Sequence, residues 1–116
     1  MKTLVIIPAY NEEKNLERVI ENLKKKASQF DYIIINDGST DHTEELCRKK
    51  QYHYISLPVN LGLTGAMQTG MKYAKEKNYD RAIQFDADGQ HLPEYIQKMV
   101  DCMEKTNCDI VIASRF

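Results

Sequence analysis

The sequence predicts an α/β domain in three layers, a Rossmann-like parallel sheet in the strand order 3-2-1-4-5 with helices on both faces. Three observations carry this expectation. Short apolar runs rich in β-branched residues recur along the chain, among them "TLVII" at 3–7, "YIIIN" at 32–36 and "DIVIA" at 109–113. Between them lie stretches whose apolar residues fall on one helical face. The runs themselves are apolar on both faces, as strands are when helices cover a parallel sheet on each side.

The elements follow in order. "TLVII" reads as a first strand, stopped by Pro8, whose ring removes a ladder donor. Leu16, Val19, Ile20, Leu23 and Ala27 then share one face of a helix. After the second strand at 32–36, "STDHTEELCRKK" starts a helix with Asp41 and Glu44 in capping-box spacing. "YHYISL" at 52–57 reads as a third strand. Thr64 is placed to cap a helix that turns Met67, Gly70, Met71 and Ala74 inward, with Met67 and Met71 as core filling. "RAIQF" at 81–85 is the fourth strand. Pro93 suits the first position of a further helix whose apolar face is Ile96, Met99, Val100 and Met103. "DIVIA" closes the pattern as the fifth strand.

The chain has 116 residues, one domain's worth, with 42% hydrophobic and 28% charged residues. A net charge of −1 gives no electrostatic footprint for nucleic acid. The run Lys24–Lys26 reads as a solvated helix end that complements the dipole. Cys47, Cys102 and Cys108 are an odd set without CxxC spacing, so they read as small apolar fillers in a reducing compartment. The apolar run before Pro8 is far too short for a signal-peptide core, and nothing approaches a membrane span, so the expected compartment is the cytoplasm.

In a sheet of this order, ligands bind beyond the carboxyl ends of the strands, where the order reverses. Strand 1 would lie between strands 2 and 4, about 4.8 Å from each. The three strand ends carry "PAYNEE" (8–13), "NDGSTD" (36–41) and "DADGQH" (86–91), so three polar, acid-bearing turns line one crevice. "PAYNEE" has no glycine and no GxxxxGK[ST] occurs, so a phosphate held here needs something other than a glycine cradle to neutralise it.

The turn after strand 4 supplies a candidate. Side chains at i and i+2 of an extended segment point the same way, so Asp86 and Asp88 converge. Two carboxylates there suit a divalent cation, and hard oxygen ligands point to Mg2+ or Mn2+. Gln90 offers a neutral amide oxygen to the same ion, and Gly89 lets the backbone turn. An isolated pair of this kind is more often plain turn chemistry, with Asp86 as cap. Its place at a switch-point strand, facing two other polar turns, favours the metal. Asp37 has two readings, a turn residue within "NDGS" or a carboxylate that accepts N–H bonds from a nucleobase edge. Tyr10 is either a packed aromatic at a helix start or a stacking face for a base. Glu12 and Glu13 suit a helix first turn in any case. His91 reads as a solvated turn residue, and His42 and His53 are assigned no partners.

At these residues the sequence resembles a known family. "IIPAYNEE", "IINDGSTD", "NLGLTGAMQTG", "FDADGQHLPE" and "ASRF" occur in the order seen in glycosyltransferase family 2, of GT-A fold. "DADGQH" followed by a helix and "SRF" is most similar to its dolichyl- or polyprenyl-phosphate sugar transferase branch. The resemblance spans the whole chain. It implies that Pro8, Ala9, Tyr10 and Glu12 line the base and ribose pocket of a nucleotide-sugar, with Ile35 and Asp37 meeting the base from strand 2. It implies further that Asp86, Ala87 and Asp88 form the DxD element, Asp86 reaching the ribose or the metal, Asp88 the metal, and that Gln90 completes the ion's shell while Arg115 contacts the diphosphate. The implied activity is metal-dependent transfer of a sugar from a UDP- or GDP-sugar to an acceptor, a lipid phosphate in the branch named.

Family members extend well past the position of Phe116, so the chain is expected to be the donor-binding half of a protein at the cytoplasmic face of a membrane. An element missing after strand 5 would leave surface open to self-association. Two other readings are a nucleotide-binding module without turnover and, from the likeness of "FDADGQ" to DxDGT, a haloacid-dehalogenase-like phosphatase. The last fits poorly, because that motif follows a first strand and carries Thr where Gln90 stands.

Overall fold

The computed structural model describes residues 3–26, 30–85 and the backbone of 110–112. Strands and helices alternate along them: β1 (Thr3–Ala9), α1 (Leu16–Lys26), β2 (Asp31–Asn36), α2 (Thr43–Lys49), β3 (Tyr54–Ser56), α3 (Gly62–Glu76), β4 (Arg81–Gln84) and β5 (Ile110–Ile112). The strands pair in parallel in the order β3-β2-β1-β4-β5, as the sequence predicts. The helix expected from Pro93 onward lies outside the described residues, as do Cys102 and Cys108.

Alternation along β1 divides the core into two layers. Val5, Ile7 and Ala9 face one side, where they meet Leu16, Val19, Ile20 and Leu23 of α1 and Cys47 of α2. Leu4 and Ile6 face the other, where they meet Ala66 and Ala74 of α3 with Ile33 and Ile35 of β2. Burying such a Leu or Ile side chain contributes about 1.5–3 kcal/mol, so β1, apolar on both faces, anchors both layers. Burial also pushes the Cys47 thiol up to about 11, with the nearby Glu44 charge acting the same way.

Five local expectations need correction. β1 does not stop at Pro8 but runs to Ala9. Pairing with β4 ends at Ile6 and Gln84, whereas pairing with β2 continues to Ala9 and Asn36. Pro8 lies two residues beyond Ile6, so its missing N–H faces the side where β4 has already ended. β3 is only Tyr54–Ser56, because Gln51 takes a left-handed turn (φ 58°) and Tyr52 instead buries its ring and donates its hydroxyl to Glu21 Oε2 at 2.9 Å.

α3 begins at Gly62 with Leu61 at the cap position, so Thr64 sits inside the first turn and caps nothing. Ala66, Gly70 and Ala74 are its buried stripe, and Met71 is exposed. One residue past Gly70 turns about 100° around the helix, which carries Met71 off the stripe. Asp41 does serve the start of α2, accepting from Thr43 N at 2.9 Å, but Glu44 does not reciprocate and pairs with Arg48 at 3.2 Å.

Candidate functional site

The strand ends set the walls of the crevice. β1 and β2 finish side by side, and Asp37 N–H donates to Ala9 O at 2.8 Å just beyond them. β4 parts from β1 after Phe85 N–H donates to Ile6 O at 2.9 Å. The chain therefore leaves β4 beside the open flank of β1, just before Asp86, Ala87, Asp88 and Gln90 in sequence. Those four residues and Arg115 lie outside the described residues.

The turns after β1 and β2 are bonded to each other. Asn11 adopts a left-handed conformation (φ 53°), which Asn tolerates better than most residues. Its side-chain oxygen accepts from Thr40 N at 2.8 Å and Asp41 N at 3.3 Å, and its own N–H donates to Ser39 Oγ at 3.0 Å. Glu12 N donates to Thr43 Oγ1 at 3.1 Å and Glu13 N to Asp41 Oδ2 at 3.4 Å. Burial pushes the Asp41 carboxyl up, but the hydrogen bonds it accepts from Thr43 and Glu13 outweigh this and hold it below the ordinary range. His42, given no partner from sequence, has Nδ1 3.4 Å from Glu13 Oε2. The polar tips of two strands thus become one rigid rim.

Of the predicted pocket residues, Pro8, Tyr10, Glu12 and Asp37 come together at this rim, whereas the Ala9 side chain is buried in the α1-side core and only its backbone carbonyl takes part. Tyr10 is 45% exposed, its ring open to a stacking partner. Glu12 accepts from Asn15 Nδ2 at 3.2 Å, and its backbone carbonyl receives the N–H of Leu16, which fixes the start of α1. Ile35 is different. It is fully buried in the α3-side core, so its side chain offers the crevice no surface.

Asp37 is only 4% exposed, and both carboxylate oxygens already have protein partners. Oδ1 accepts from Leu61 N at 2.7 Å and Oδ2 from Asn60 Nδ2 at 3.3 Å. The loop between β3 and α3 is thus a further wall. The loop runs into "NLGLTGAMQTG", a stretch in which the sequence predicts no site residue. Its local signal is Gly62, whose φ of 81° releases the chain into α3. Next to Asp37, Gly38 has φ 66°, and a Cβ there would lie 2.4 Å from Asn60 N and Val59 C, so the loop rests directly on the 37–38 backbone. Val59, Leu61 and Leu63 of this region are all more than half exposed.

A cavity of about 460 Å³ opens at the opposite, amino-terminal end of the sheet, between Phe30, Tyr32, His53 and Tyr79. It is remote from every polar turn described above. Tyr79 donates its hydroxyl to Asp31 there at 2.7 Å, and Tyr32 meets His53 edge-on at 5.7 Å between ring centres.

The parallel order, with acid-bearing turns after β1 and β2, is that of a Rossmann-like α/β domain. Solved structures agree on the fold. Glucosyl-3-phosphoglycerate synthase from Mycobacterium tuberculosis, crystallised with Mn2+ and UDP, matches with a TM-score of 0.73 at 24% identity over 88% of this chain and 39% of its own. Residues 1–349 of S. aureus TarS, crystallised with UDP, match with a TM-score of 0.71 at 23% identity over 92% of this chain and 33% of its own.

Residues 4–116 match the glycosyl transferase family 2 model, and the chain belongs to that family. A UDP-N-acetylglucosamine–dolichyl-phosphate N-acetylglucosaminyltransferase from Methanococcus voltae is 36% identical over 96% of this chain and 51% of its own length. A dolichol-phosphate mannosyltransferase from Pyrococcus furiosus is 35% identical over 100% of this chain and 34% of its own. The chain therefore spans about a third to a half of these relatives.

Proposed function

We propose that this chain binds the donor of a metal-dependent glycosyltransferase, a nucleoside-diphosphate sugar, in the crevice at the carboxyl ends of β1, β2 and β4. The observation that carries the reading is the bonded rim. Tyr10, Glu12 and Asp37 lie on two turns joined by hydrogen bonds, and β4 parts from β1 on the same flank just before Asp86 in sequence. In this reading Tyr10 stacks on the base, Asp37 accepts a base N–H and Glu12 faces the ribose. Ile35 supports the pocket from the core side and does not touch the base.

The donor set of Asp86, Asp88 and Gln90, two carboxylates and an amide oxygen, fits Mg2+ or Mn2+ by its hard-oxygen chemistry. Bound there, the ion supplies Lewis-acid charge to the diphosphate leaving group. Arg115 would contact the diphosphate, as the family resemblance implies. The acceptor we propose is a lipid phosphate, the kind named for the Methanococcus relative. Its oxygen is already ionised near neutral pH, so attack on the sugar carbon needs little help from a base.

Calorimetry tests the reading. UDP or GDP should bind in the presence of Mn2+, and binding should weaken at least tenfold with chelator or in Asp88→Asn, the melting temperature being unchanged. Nucleotide affinity indifferent to both would overturn the metal assignment. Release of sugar onto a polyprenyl phosphate, measured on the same samples, separates a transferase from a binding module.

A further inference from the structure

We infer that Asn60 is a positioning residue for base recognition, bracing the Asp37 carboxylate so that its remaining acceptor sites point in one direction. The inference rests on the donor-site reading above. The Asn60 side-chain amide spans residue 37, donating to the Asp37 backbone carbonyl at 3.1 Å and to Oδ2 at 3.3 Å. Leu61 N–H holds the other oxygen at 2.7 Å. A carboxylate offers about four lone-pair sites. With one oxygen held from each side, the group cannot rotate about its last bond without breaking a contact.

The brace is built into the fold at a second point. Gly38, at φ 66°, lets the 59–60 backbone come so close that a Cβ at position 38 would lie 2.4 Å from Asn60 N. Asp37 N–H is meanwhile bonded to Ala9 O at 2.8 Å, so the main chain of residue 37 is fixed to β1 while Asn60 and Leu61 fix its side chain. Asn60 itself is exposed at the rim. A side chain whose task were only to fill the core would be buried. An exposed amide that crosses the carboxylate of a buried aspartate aligns it, since a base N–H gains most from an acceptor already oriented.

The test compares UDP or GDP, whichever the unaltered protein binds more tightly, with inorganic pyrophosphate, each with Mn2+. Asn60→Ala should weaken the nucleotide about tenfold and leave pyrophosphate within twofold. Asn60→Leu keeps the approximate size, removes the donors without adding charge and carries the same expectation should the alanine variant fail to fold. Equal losses for both ligands, or no loss for either, would overturn the inference while leaving the donor-site reading intact. If the unaltered protein shows no preference for nucleotide over pyrophosphate, the base-pocket reading itself fails and the inference falls with it.

Discussion

Asp37 ties three strand ends together. Its N–H joins the end of β1, and its carboxylate holds the loop that leaves β3. Asp37→Ala removes a charged acceptor from Leu61 N–H and should cost about 2–3 kcal/mol of stability, read from the urea midpoint. It should also weaken nucleoside diphosphates more than pyrophosphate. Equal losses would remove Asp37 from the base pocket.

Asp41 predicts a pH effect at the same scale. Its carboxyl is held below its ordinary value in the fold, so its contribution is present above the unfolded pKa and is lost as pH falls through the folded one. The rim should loosen in acid below the ordinary carboxylate range. Asp41→Asn should flatten the acid limb of a urea-midpoint profile, and an unchanged limb would contradict the assignment. The turn character of "NDGS" was legible in sequence, because Asp and Gly act locally. The partners of Asp37, 23 and 24 positions further on, were not, since folding supplies them and no local spacing encodes them. Asn11 escaped for the same reason: its oxygen meets residues 29 and 30 positions away.

At the scale of elements, composition and period located the strands, and departures came where neighbours decide. Pro8 should end a strand considered alone, and it stays in β1 because β4 stops short of it. Met71 looked as apolar as Met67, but the stripe of α3 is drawn by its small residues. Gly70 lets α3 lie close on β1, where a Cβ would stand 2.5 Å from Ile6 Cγ2. Gly70→Ala must shift α3 or Ile6, and overpacking of this kind costs about 1–3 kcal/mol even though alanine favours helix. Thermal unfolding should show a lower melting temperature. Ile6→Val in the same chain should recover part of the loss, and a stabilised Gly70→Ala would contradict the close packing.

At the scale of the whole molecule, the strand order followed from apolar strands alternating with helices, a pattern that length and periodicity carry directly. No helix among the described residues is long and apolar enough to cross a membrane. The rim at the carboxyl ends and the cavity of about 460 Å³ at the amino ends offer a ligand alternative sites. The account places nucleotide and metal at the first. Paramagnetic broadening of backbone amide signals by Mn2+, in the presence of UDP or GDP, distinguishes them directly. Broadening centred on Tyr10, Asn11, Asp37 and Phe85, with Asp31, His53 and Asn78 sharp, is the predicted result. Broadening centred on the amino-end residues, or no nucleotide-dependent broadening at the rim, would contradict it.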